Sequence, residues 1–200
     1  MDGVLVVTGA SRGIGAATAL LGSQRGYRVC VNYVRDARAA NGVADAIRRA
    51  GGEAIVVQAD IGHEAEVARL FATVDRTLGT VTALVNNAGI LETQCAASRL
   101  GSPGEYLDYA ASKGAIDTFT HGLALEVADE GIRVNAVRPG IIETEIHASG
   151  GEPGRPARIA DSLPMRRPGR PEEVAEAILW LLSDASSYTT GTIVDVAGGR

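Results

Sequence analysis

The sequence predicts a doubly wound α/β fold, in which helices cover both faces of a Rossmann-like parallel sheet to give three α/β/α layers. Three observations lead to this prediction. Short runs rich in Val and Ile alternate along the chain with segments of helical periodicity. Aromatic residues make up only 4% of the chain and Gly contributes 25 residues, which favours helices packed closely on a buried sheet. A glycine-rich turn joins the first apolar run to the first helix.

The first part of the chain contains four predicted strands and three predicted helices. Residues 4–7 form a continuous apolar run, the pattern of a parallel strand that is buried on both faces. Further strands are predicted at 27–33, 54–58 and 82–86, and the first two helices at 14–24 and 36–50. The third helix has the clearest period, with apolar residues at Val67, Leu70, Phe71, Val74 and Leu78.

The second part of the chain contains two more strands and a long helix. That helix is predicted at 106–128, with a buried face formed by Ile116, Phe119, Leu123 and Val127. Strands are predicted at 132–137, before the Pro139-Gly140 break, and at 192–196. Residues 141–170 are loop-like, and a last helix begins at Pro171 with two acidic residues in its first turn. Residues 1–200 are therefore predicted to form one domain.

Composition argues against several classes of protein. A net charge of -5 and a pI near 5.2 argue against nucleic-acid binding. No run approaches the ~18 apolar residues of a membrane span, and two cysteines cannot form a disulfide framework. The histidines at 63, 121 and 147 fit no metal-ligand spacing, so no metal site is predicted. We expect a soluble, cytoplasmic protein without nucleic-acid or membrane partners.

The turn from Thr8 to Gly15, TGASRGIG, is a candidate phosphate site. Glycines let the backbone bend sharply and approach a pyrophosphate, whose charge then lies at the N-terminus of the following helix. The spacing is Gly-x-x-x-Gly-x-Gly, and a purely structural turn is the alternative. Its position after the first strand of a βαβ unit favours phosphate binding.

Five motifs together resemble the short-chain dehydrogenase/reductase family. They follow the family's order over nearly the whole chain: TGASRGIG at 8–15, NNAG at 86–89, Tyr109-x-x-x-Lys113, Pro139-Gly140 and GTIVDVAGG at 191–199. The resemblance implies an NAD(P)-dependent oxidoreductase that interconverts a secondary alcohol and a ketone. It also implies a small-molecule substrate selected by 141–170, which resemble the family's variable lid, and assembly as a homotetramer or homodimer.

Tyr109 and Lys113 are the candidate catalytic pair. They lie four residues apart and so share one face of the long helix. A free phenol with a pKa near ~10 is a poor base at neutral pH, but a neighbouring ammonium favours the phenolate. The pair suits proton exchange with an alcohol or ketone while a nicotinamide exchanges hydride. An ordinary solvated Tyr/Lys pair is the alternative. By resemblance, Lys113 would also hold the nicotinamide ribose.

The resemblance also assigns cofactor contacts to four parts of the chain. The phosphates would be lined by Gly9, Ser11, Arg12, Gly13, Ile14 and Gly15. The adenine would lie at Asp60 and Ile61, its ribose at Asn87, Ala88 and Gly89, and the nicotinamide end at Pro139, Gly140, Ile142 and Thr144. For NNAG, a strand-ending turn that binds no ligand is the alternative.

The end of the second strand favours NADP(H) over NAD(H). An acidic residue there would bind the ribose 2′-hydroxyl and repel a 2′-phosphate. The segment contains Asn32 and Arg35, both counted as cofactor contacts, and no acid precedes Asp36. Arg12 and Arg35 could both reach a 2′-phosphate, which Arg binds in bidentate fashion. Asp36 leaves NAD as the alternative cofactor.

One helix-strand unit of the family pattern has no counterpart between residues 90 and 101. A βαβ unit takes ~30 or more residues, whereas 90–101 is short and has no apolar run. The resemblance places the family's catalytic Ser in the missing unit; Cys95 lies about where that Ser would be, and Ser98 lies nearer to Tyr109 in sequence than the family pattern allows. Either the sequence lacks residues of the mature protein, or the gene has lost the unit. A true loss would predict a dinucleotide-binding protein without catalysis, or a misfolded product, because active sites do not tolerate a shift of ~4.8 Å.

Overall fold

The computed structural model describes residues 3–88, 107–145, 152 and 154–199, and of 107–110 the backbone alone. The chain forms two compact units, Met1–Ile90 and Leu91–Arg200. Within the described residues, no helix combines the length and apolar character needed to cross a membrane.

The first unit is built on a four-stranded parallel sheet. In chain order its strands are β1 (Val4–Val7), β2 (Arg28–Tyr33), β3 (Ala54–Gln58) and β4 (Val81–Val85). The intervening helices are α1 (Gly13–Gln24), α2 (Ala37–Arg49) and α3 (Glu64–Thr77). The strand order is β3-β2-β1-β4, so the direction of winding reverses between β1 and β4. This topology confirms the predicted doubly wound α/β fold.

Both faces of this sheet are covered, which explains the continuous apolar runs in its strands. Side chains alternate between the faces along each strand. On one face, Val4, Val6 and Cys30 pack with Leu70 and Val74 of α3. The alternate positions Leu5, Val7, Val29 and Val31 are equally buried on the opposite face, where α1 and α2 contact the sheet. The predicted three layers are therefore present in this unit.

The second unit pairs two strands and carries the long helix. Its elements are α4 (Leu107–Glu126), β5 (Ala136–Pro139), α5 (Arg155–Ile159), α6 (Pro171–Leu182) and β6 (Ile193–Val196). Three single-turn 3-10 helices follow α4, α5 and α6, at Ala128–Glu130, Ala160–Ser162 and Asp184–Ser186. β5 and β6 are parallel, with Arg138 opposite Asp195. An isolated bridge joins Ile142 to Gly169, so the loop between them is closed at its base.

The expected strand at 132–137 is wrong in its bounds, because it begins later and ends at Pro139. The Arg133 guanidinium donates instead to the carbonyl oxygens of Leu181 (2.6 Å), Ser183 (3.3 Å) and Thr189 (3.3 Å). These bonds hold the segment before β5 as irregular backbone. Pro139 is tolerated at the end of the strand, where the lack of an N–H matters least.

The expected buried face of α4 is wrong at Ile116 and Phe119, whereas Leu123 and Val127 are half-buried. Ile116 and Phe119 are 54% and 62% exposed, whereas Thr120 and Ala124 are buried. Apolar and small residues occur on every side of this helix, so its periodicity does not select one face. The side of α4 that carries the smaller side chains Thr120 and Ala124 packs against the core of the second unit.

Candidate functional site

The carboxyl ends of the four strands in the first unit carry the residues predicted to bind the adenine half of a dinucleotide. The turn of 9–15 follows β1, Asn32 lies in β2 with Arg35 beyond it, Asp60 and Ile61 follow β3, and Asn87 and Ala88 follow β4. Because β1 and β4 are neighbours, the glycine-rich turn and the NNAG segment lie side by side. Ligands of open α/β sheets bind outside the carboxyl ends of the strands at such a reversal.

The glycine-rich turn has a backbone that requires glycine and a helix end suited to an anion. Gly9 and Gly13 have φ of +61° and +55°, in the left-handed region that favours glycine. α1 begins at Gly13 behind an extended Arg12, and in the described part of the chain no side chain caps it. Its first turn also contains no acidic residue. The N–H groups and the positive end of the helix dipole therefore suit a phosphate.

Two glycines of this turn are required by the close approach of the segment after β4. A Cβ atom on Gly9 would lie 2.8 Å from Cα of Ala88. A Cβ atom on Gly15 would lie 2.5 Å from Nδ2 of Asn87 and 2.6 Å from the carbonyl oxygen of Gly9. The glycine spacing thus serves internal packing as well as any ligand.

Thr8 and Asn87 join the turn to the end of β4. Thr8 Oγ1 accepts hydrogen bonds from the backbone N–H groups of Asn87 and Ala88, both at 3.0 Å. Asn87 Nδ2 donates in return to the carbonyl oxygens of Thr8 (3.0 Å) and Gly9 (3.2 Å). Asn87 and Ala88 thus hold the end of β4 against the glycine turn, which is a structural role that requires no ligand. The sequence placed Thr8 in the glycine-rich motif but assigned its side chain no role.

Asn32 supports the same turn from the opposite side. Its side chain is fully buried, and its Oδ1 accepts from the N–H of Gly9 at 3.2 Å. Its Nδ2 donates to the carbonyl oxygens of Val57 (3.2 Å) and Ala59 (3.0 Å). Both polar atoms of the Asn32 amide are thus hydrogen-bonded within the protein, and Asn32 positions the backbone of the glycine turn. A direct contact between Asn32 and the cofactor stays a prediction.

Two arginines near the carboxyl ends of β1 and β2 give this surface a positive charge. Arg12 and Arg35 are exposed, and neither forms an ion pair with any described residue. The carboxylate of Asp36 accepts a hydrogen bond from the N–H of Ala39 at 2.9 Å and caps α2. Asp36 is the reason to keep NAD as the alternative cofactor. Its carboxylate instead caps the N-terminus of α2, where the helix dipole stabilises its charge.

The loop after β3 is ordered by carboxylates. Asp60 Oδ1 accepts from the N–H of Gly62 at 2.9 Å, and the N–H of Asp60 donates to the Glu66 carboxylate at 2.7 Å. Ile61 is 37% exposed beside them. A rigid loop with one exposed apolar side chain is a suitable surface for a flat ring such as adenine.

The second unit carries the catalytic candidates on α4. Residues 109 and 113 both lie within the helix and share one side of its backbone, and the Lys113 side chain is exposed. The side chain of Tyr109 lies outside the described part of the structure, as does Gly89. The other described candidates of this unit follow β5. The N–H of Gly140 donates to the carbonyl oxygen of Val196 at 3.0 Å, and Ile142 forms the bridge to Gly169.

Gly140 allows the end of β5 to approach the chain after β6. A Cβ atom at this position would lie 2.7 Å from Cα of Ala197. Pro139 and Thr144, on either side of it, are partly exposed. Arg138 pairs with two carboxylates on neighbouring elements: Asp117 of α4 at 2.8 Å and Asp195 of β6 at 2.6 Å. Burial lowers the pKa of Arg138, but its bonds and charge interactions with these carboxylates outweigh that effect and raise the pKa above its usual value. This clamp fixes α4 one turn beyond Lys113.

Other reactive groups in the described residues do not form a second centre. Burial raises the pKa of the Cys30 thiol to about 12, so at neutral pH it is not a nucleophile. Among the described residues, no group of His, Cys, Asp and Glu side chains could hold a metal ion.

Two family models together match almost the whole chain. Residues 3–102 match the model described as short chain dehydrogenase. Residues 90–200 match the model described as enoyl-(acyl carrier protein) reductase.

Relatives and solved structures of the same kind cover the chain nearly end to end. An uncharacterized oxidoreductase of Escherichia coli (strain K12), YgfF, is 50% identical, with 98% of this chain and 99% of the relative aligned. A double mutant of a Serratia marcescens short-chain dehydrogenase/reductase matches with a TM-score of 0.90 at 26% identity, covering 100% of this chain and 98% of its own. A blue fluorescent protein from a metagenomic library, solved in complex with NADPH, matches with a TM-score of 0.88 at 26% identity, covering 98% and 97%.

Proposed function

The chain belongs to the short-chain dehydrogenase/reductase family of NAD(P)-dependent oxidoreductases, and on that premise we propose that it transfers hydride between NADP(H) and a secondary alcohol or ketone. The observation that carries the proposal is the glycine turn at the β1/β4 reversal. Its glycines adopt left-handed backbone conformations, and no described side chain caps the N-terminus of α1. Hydrogen bonds of the Thr8, Asn32 and Asn87 side chains hold its backbone in place. A dinucleotide pyrophosphate is the ligand whose charge and shape fit this turn.

NADP(H) is favoured over NAD(H) by the charges beside the turn. Arg12 and Arg35 are exposed and have no acidic partner among the described residues, which suits a 2′-phosphate. Asp36, the first acid after β2, is engaged as the N-cap of α2. The NADPH complex of a structural neighbour supports this preference, and NAD is the alternative.

Tyr109 is the proposed acid/base, and Lys113 the residue that adjusts its pKa. When bound, the nicotinamide supplies or accepts the hydride, so the protein has only to move one proton at the substrate oxygen. A phenolic O–H would donate that proton during reduction of a ketone and regain it during oxidation of an alcohol. The ammonium of Lys113, one turn along α4, stabilises the phenolate and would hold the nicotinamide ribose.

The remaining contacts are proposed from the resemblance of the motifs to those of the family. Ser11, Gly13 and Ile14 would complete the phosphate turn, and Asp60 and Ile61 would hold the adenine. Ala88 and Gly89 would flank its ribose, while Pro139, Gly140, Ile142 and Thr144 would face the nicotinamide. A homodimer or homotetramer in the cytoplasm is proposed with the rest.

A Tyr109→Phe variant tests the assignment of the acid/base. Removal of one hydroxyl should reduce ketone-dependent oxidation of NADPH by at least about 100-fold, the usual contribution of a general acid. The shift in melting temperature caused by NADPH should remain, because the phosphate turn is unchanged. The same melting-temperature measurement with NADH compares the binding of the two cofactors. If the variant kept full turnover, the assigned mechanism would be wrong.

A second candidate function is a dinucleotide-binding protein without catalysis. It is favoured by the length of the alignment with the Escherichia coli relative, which spans 245 positions although 98% of 200 residues is about 196. About 49 positions therefore have no counterpart in this chain. The two family models overlap at 90–102, and the helix-strand unit is proposed to be missing there. Binding of NADPH with no turnover of any ketone would favour this candidate.

A further inference from the structure

The Arg138 guanidinium is divided between two carboxylates that lie on different elements. Nη2 donates to Asp117 of α4 at 2.8 Å, and Nη1 donates to Asp195 of β6 at 2.6 Å. Arginine commonly binds one carboxylate through two parallel N–H groups. In this arrangement Nε is buried and has no hydrogen-bond partner among the described residues. A buried donor without an acceptor is unfavourable, so the division of this guanidinium calls for an explanation.

The Asp117 carboxylate lies close to the lysine of the proposed mechanism. Asp117 follows Lys113 by one turn on the same side of α4, a spacing at which an ammonium and a carboxylate attract each other. The Lys113 side chain is exposed and so has room to turn toward Asp117. Only 26% of the Asp117 side chain is exposed, so solvent would screen an unpaired charge there incompletely. Asp117 is therefore a competitor for the ammonium that the mechanism needs at Tyr109.

Arg138 engages this competitor from a neighbouring strand. Its side chain is 22% exposed, less than that of Asp117, so the pair is partly shielded from solvent. A planar guanidinium held in place loses less freedom on pairing than a flexible, exposed ammonium. Asp195 faces Arg138 across the β5/β6 pair and fixes the guanidinium from the other side. Arg138 is thus a stronger partner for Asp117 than Lys113 is.

We propose that Arg138 is a positioning residue, which holds the Asp117 carboxylate so that the Lys113 ammonium remains available to the reaction. This inference rests on the proposed function, since it concerns the lysine of that mechanism. It explains why one guanidinium serves two elements although Nε is left without an acceptor. Without Arg138, Asp117 would draw Lys113 away, and the Tyr109 phenolate would lose the positive charge that stabilises it.

Rescue by a second substitution tests the proposal. The activity measured is NADP-dependent oxidation of cyclohexanol and isopropanol. Arg138→Met frees Asp117, and kcat should fall by roughly 10-fold, a part of the contribution of an acid/base. The double variant Arg138→Met/Asp117→Asn should recover to within about twofold of the unchanged protein, because no carboxylate then competes for Lys113. If the clamp had only a structural role, the double variant would be at least as impaired as Arg138→Met.

Asp195→Asn is the matched control, because it removes the other carboxylate of the clamp and leaves the bond to Asp117. Asp195 is 39% exposed, and this variant should change kcat by no more than about twofold. The ionisation of Tyr109 is a readout without turnover, measured by NMR on isotope-labelled tyrosine and identified with Tyr109→Phe. The pKa of Tyr109 should rise in Arg138→Met, as in Lys113→Met, and should return in the double variant.

An unchanged pKa of Tyr109 in Arg138→Met, or no rescue by Asp117→Asn, would overturn the proposal. Equal effects of Arg138→Met and Asp195→Asn would also overturn it. If Lys113→Met leaves the pKa of Tyr109 unchanged, the proposed mechanism itself fails, whereas a rise in Lys113→Met alone rejects only the role of Arg138.

Two further measures keep the test decisive. If neither alcohol is oxidised, the titration of Tyr109 decides by itself. If Arg138→Met does not fold, Arg138→Lys replaces it, because a single ammonium lacks the fork that reaches both carboxylates. A smaller rise in the pKa of Tyr109, with the same rescue by Asp117→Asn, is then expected, and no rise would overturn the proposal.

Discussion

At the scale of single residues, the glycine turn proposed to bind phosphate is held in place by packing and by hydrogen bonds to neighbouring side chains. Gly15 lies where the turn, α1 and the end of β4 meet, and no Cβ atom fits there without movement. Asn32 and Thr8 use their polar groups to hold this backbone rather than to reach outward. The turn is therefore preorganised before any cofactor binds, which reduces the entropy lost on binding.

A Gly15→Ala variant tests this preorganisation. The new methyl group would force Asn87 or the Gly9 carbonyl to move, and we expect a loss of about 1–3 kcal/mol in the free energy of unfolding. NADPH affinity should fall as well, because the turn is displaced. Differential scanning calorimetry should show a melting temperature lower by roughly 2–10 °C.

Gly42→Ala is the matched control for this variant. Gly42 lies within α2, and a Cβ atom there would meet nothing within 4 Å. Alanine is favoured over glycine in a helix by up to ~1 kcal/mol, so this variant should be slightly more stable and should bind NADPH normally. A similar loss of stability in both variants would contradict the packing argument at Gly15.

At the scale of elements, ion pairs fix the loop and the long helix of the second unit. Arg138 holds α4 against β5 and β6 through Asp117 and Asp195. Glu173 holds the end of the loop against α6 by accepting from Arg167 at 2.7 and 2.8 Å and from the N–H of Arg170 at 2.7 Å. The bonds from Arg167 and from the Arg170 backbone lower the pKa of Glu173 to about 2.

A Glu173→Gln variant should therefore lose stability in a pH-dependent manner. A depressed pKa means that the carboxylate stabilises the fold above its unfolded value of 4.5, and that this contribution is lost as pH falls toward about 2. The melting temperature of the variant should be lower by about 1–3 °C at pH 7, and the difference should shrink below pH 4.5. Glu172→Gln, in the same helical turn, is the control. An equal difference at pH 7 and pH 3 would show that the ion pair is not the cause.

At the scale of the whole molecule, the main question is whether the protein lacks one helix-strand unit of the family pattern. The family relationship covers the chain nearly end to end, yet the alignment with the Escherichia coli relative is about 49 positions longer than the residues it matches. The single domain over 1–200 and its missing helix-strand unit remain proposals. If the unit is missing, the residues that would polarise the substrate oxygen are missing with it.

The intact mass of the purified protein is the measurement that decides between the two explanations. A mass of 20.7 kDa, that of the 200 residues, would mean that the unit is truly absent, and cofactor binding with weak or no turnover would follow. A mass larger by several kDa would contradict a true loss of the unit. The oxidoreductase assignment would then stand, with the catalytic Ser of the family still to be located.

The sequence by itself determined the parallel sheet of the first unit, the glycine turn after β1 and the spacing of Tyr109 and Lys113. These features are encoded locally, by apolar runs, by glycines at fixed intervals and by the helical period. Only the tertiary structure decided that Asn32 faces inward, that Thr8 joins two strand ends, and that α4 buries Thr120 and Ala124 instead of Ile116 and Phe119. It likewise decided that Arg138 pairs with both Asp117 and Asp195. Each of these outcomes depends on contacts between residues far apart in sequence, which no local pattern contains.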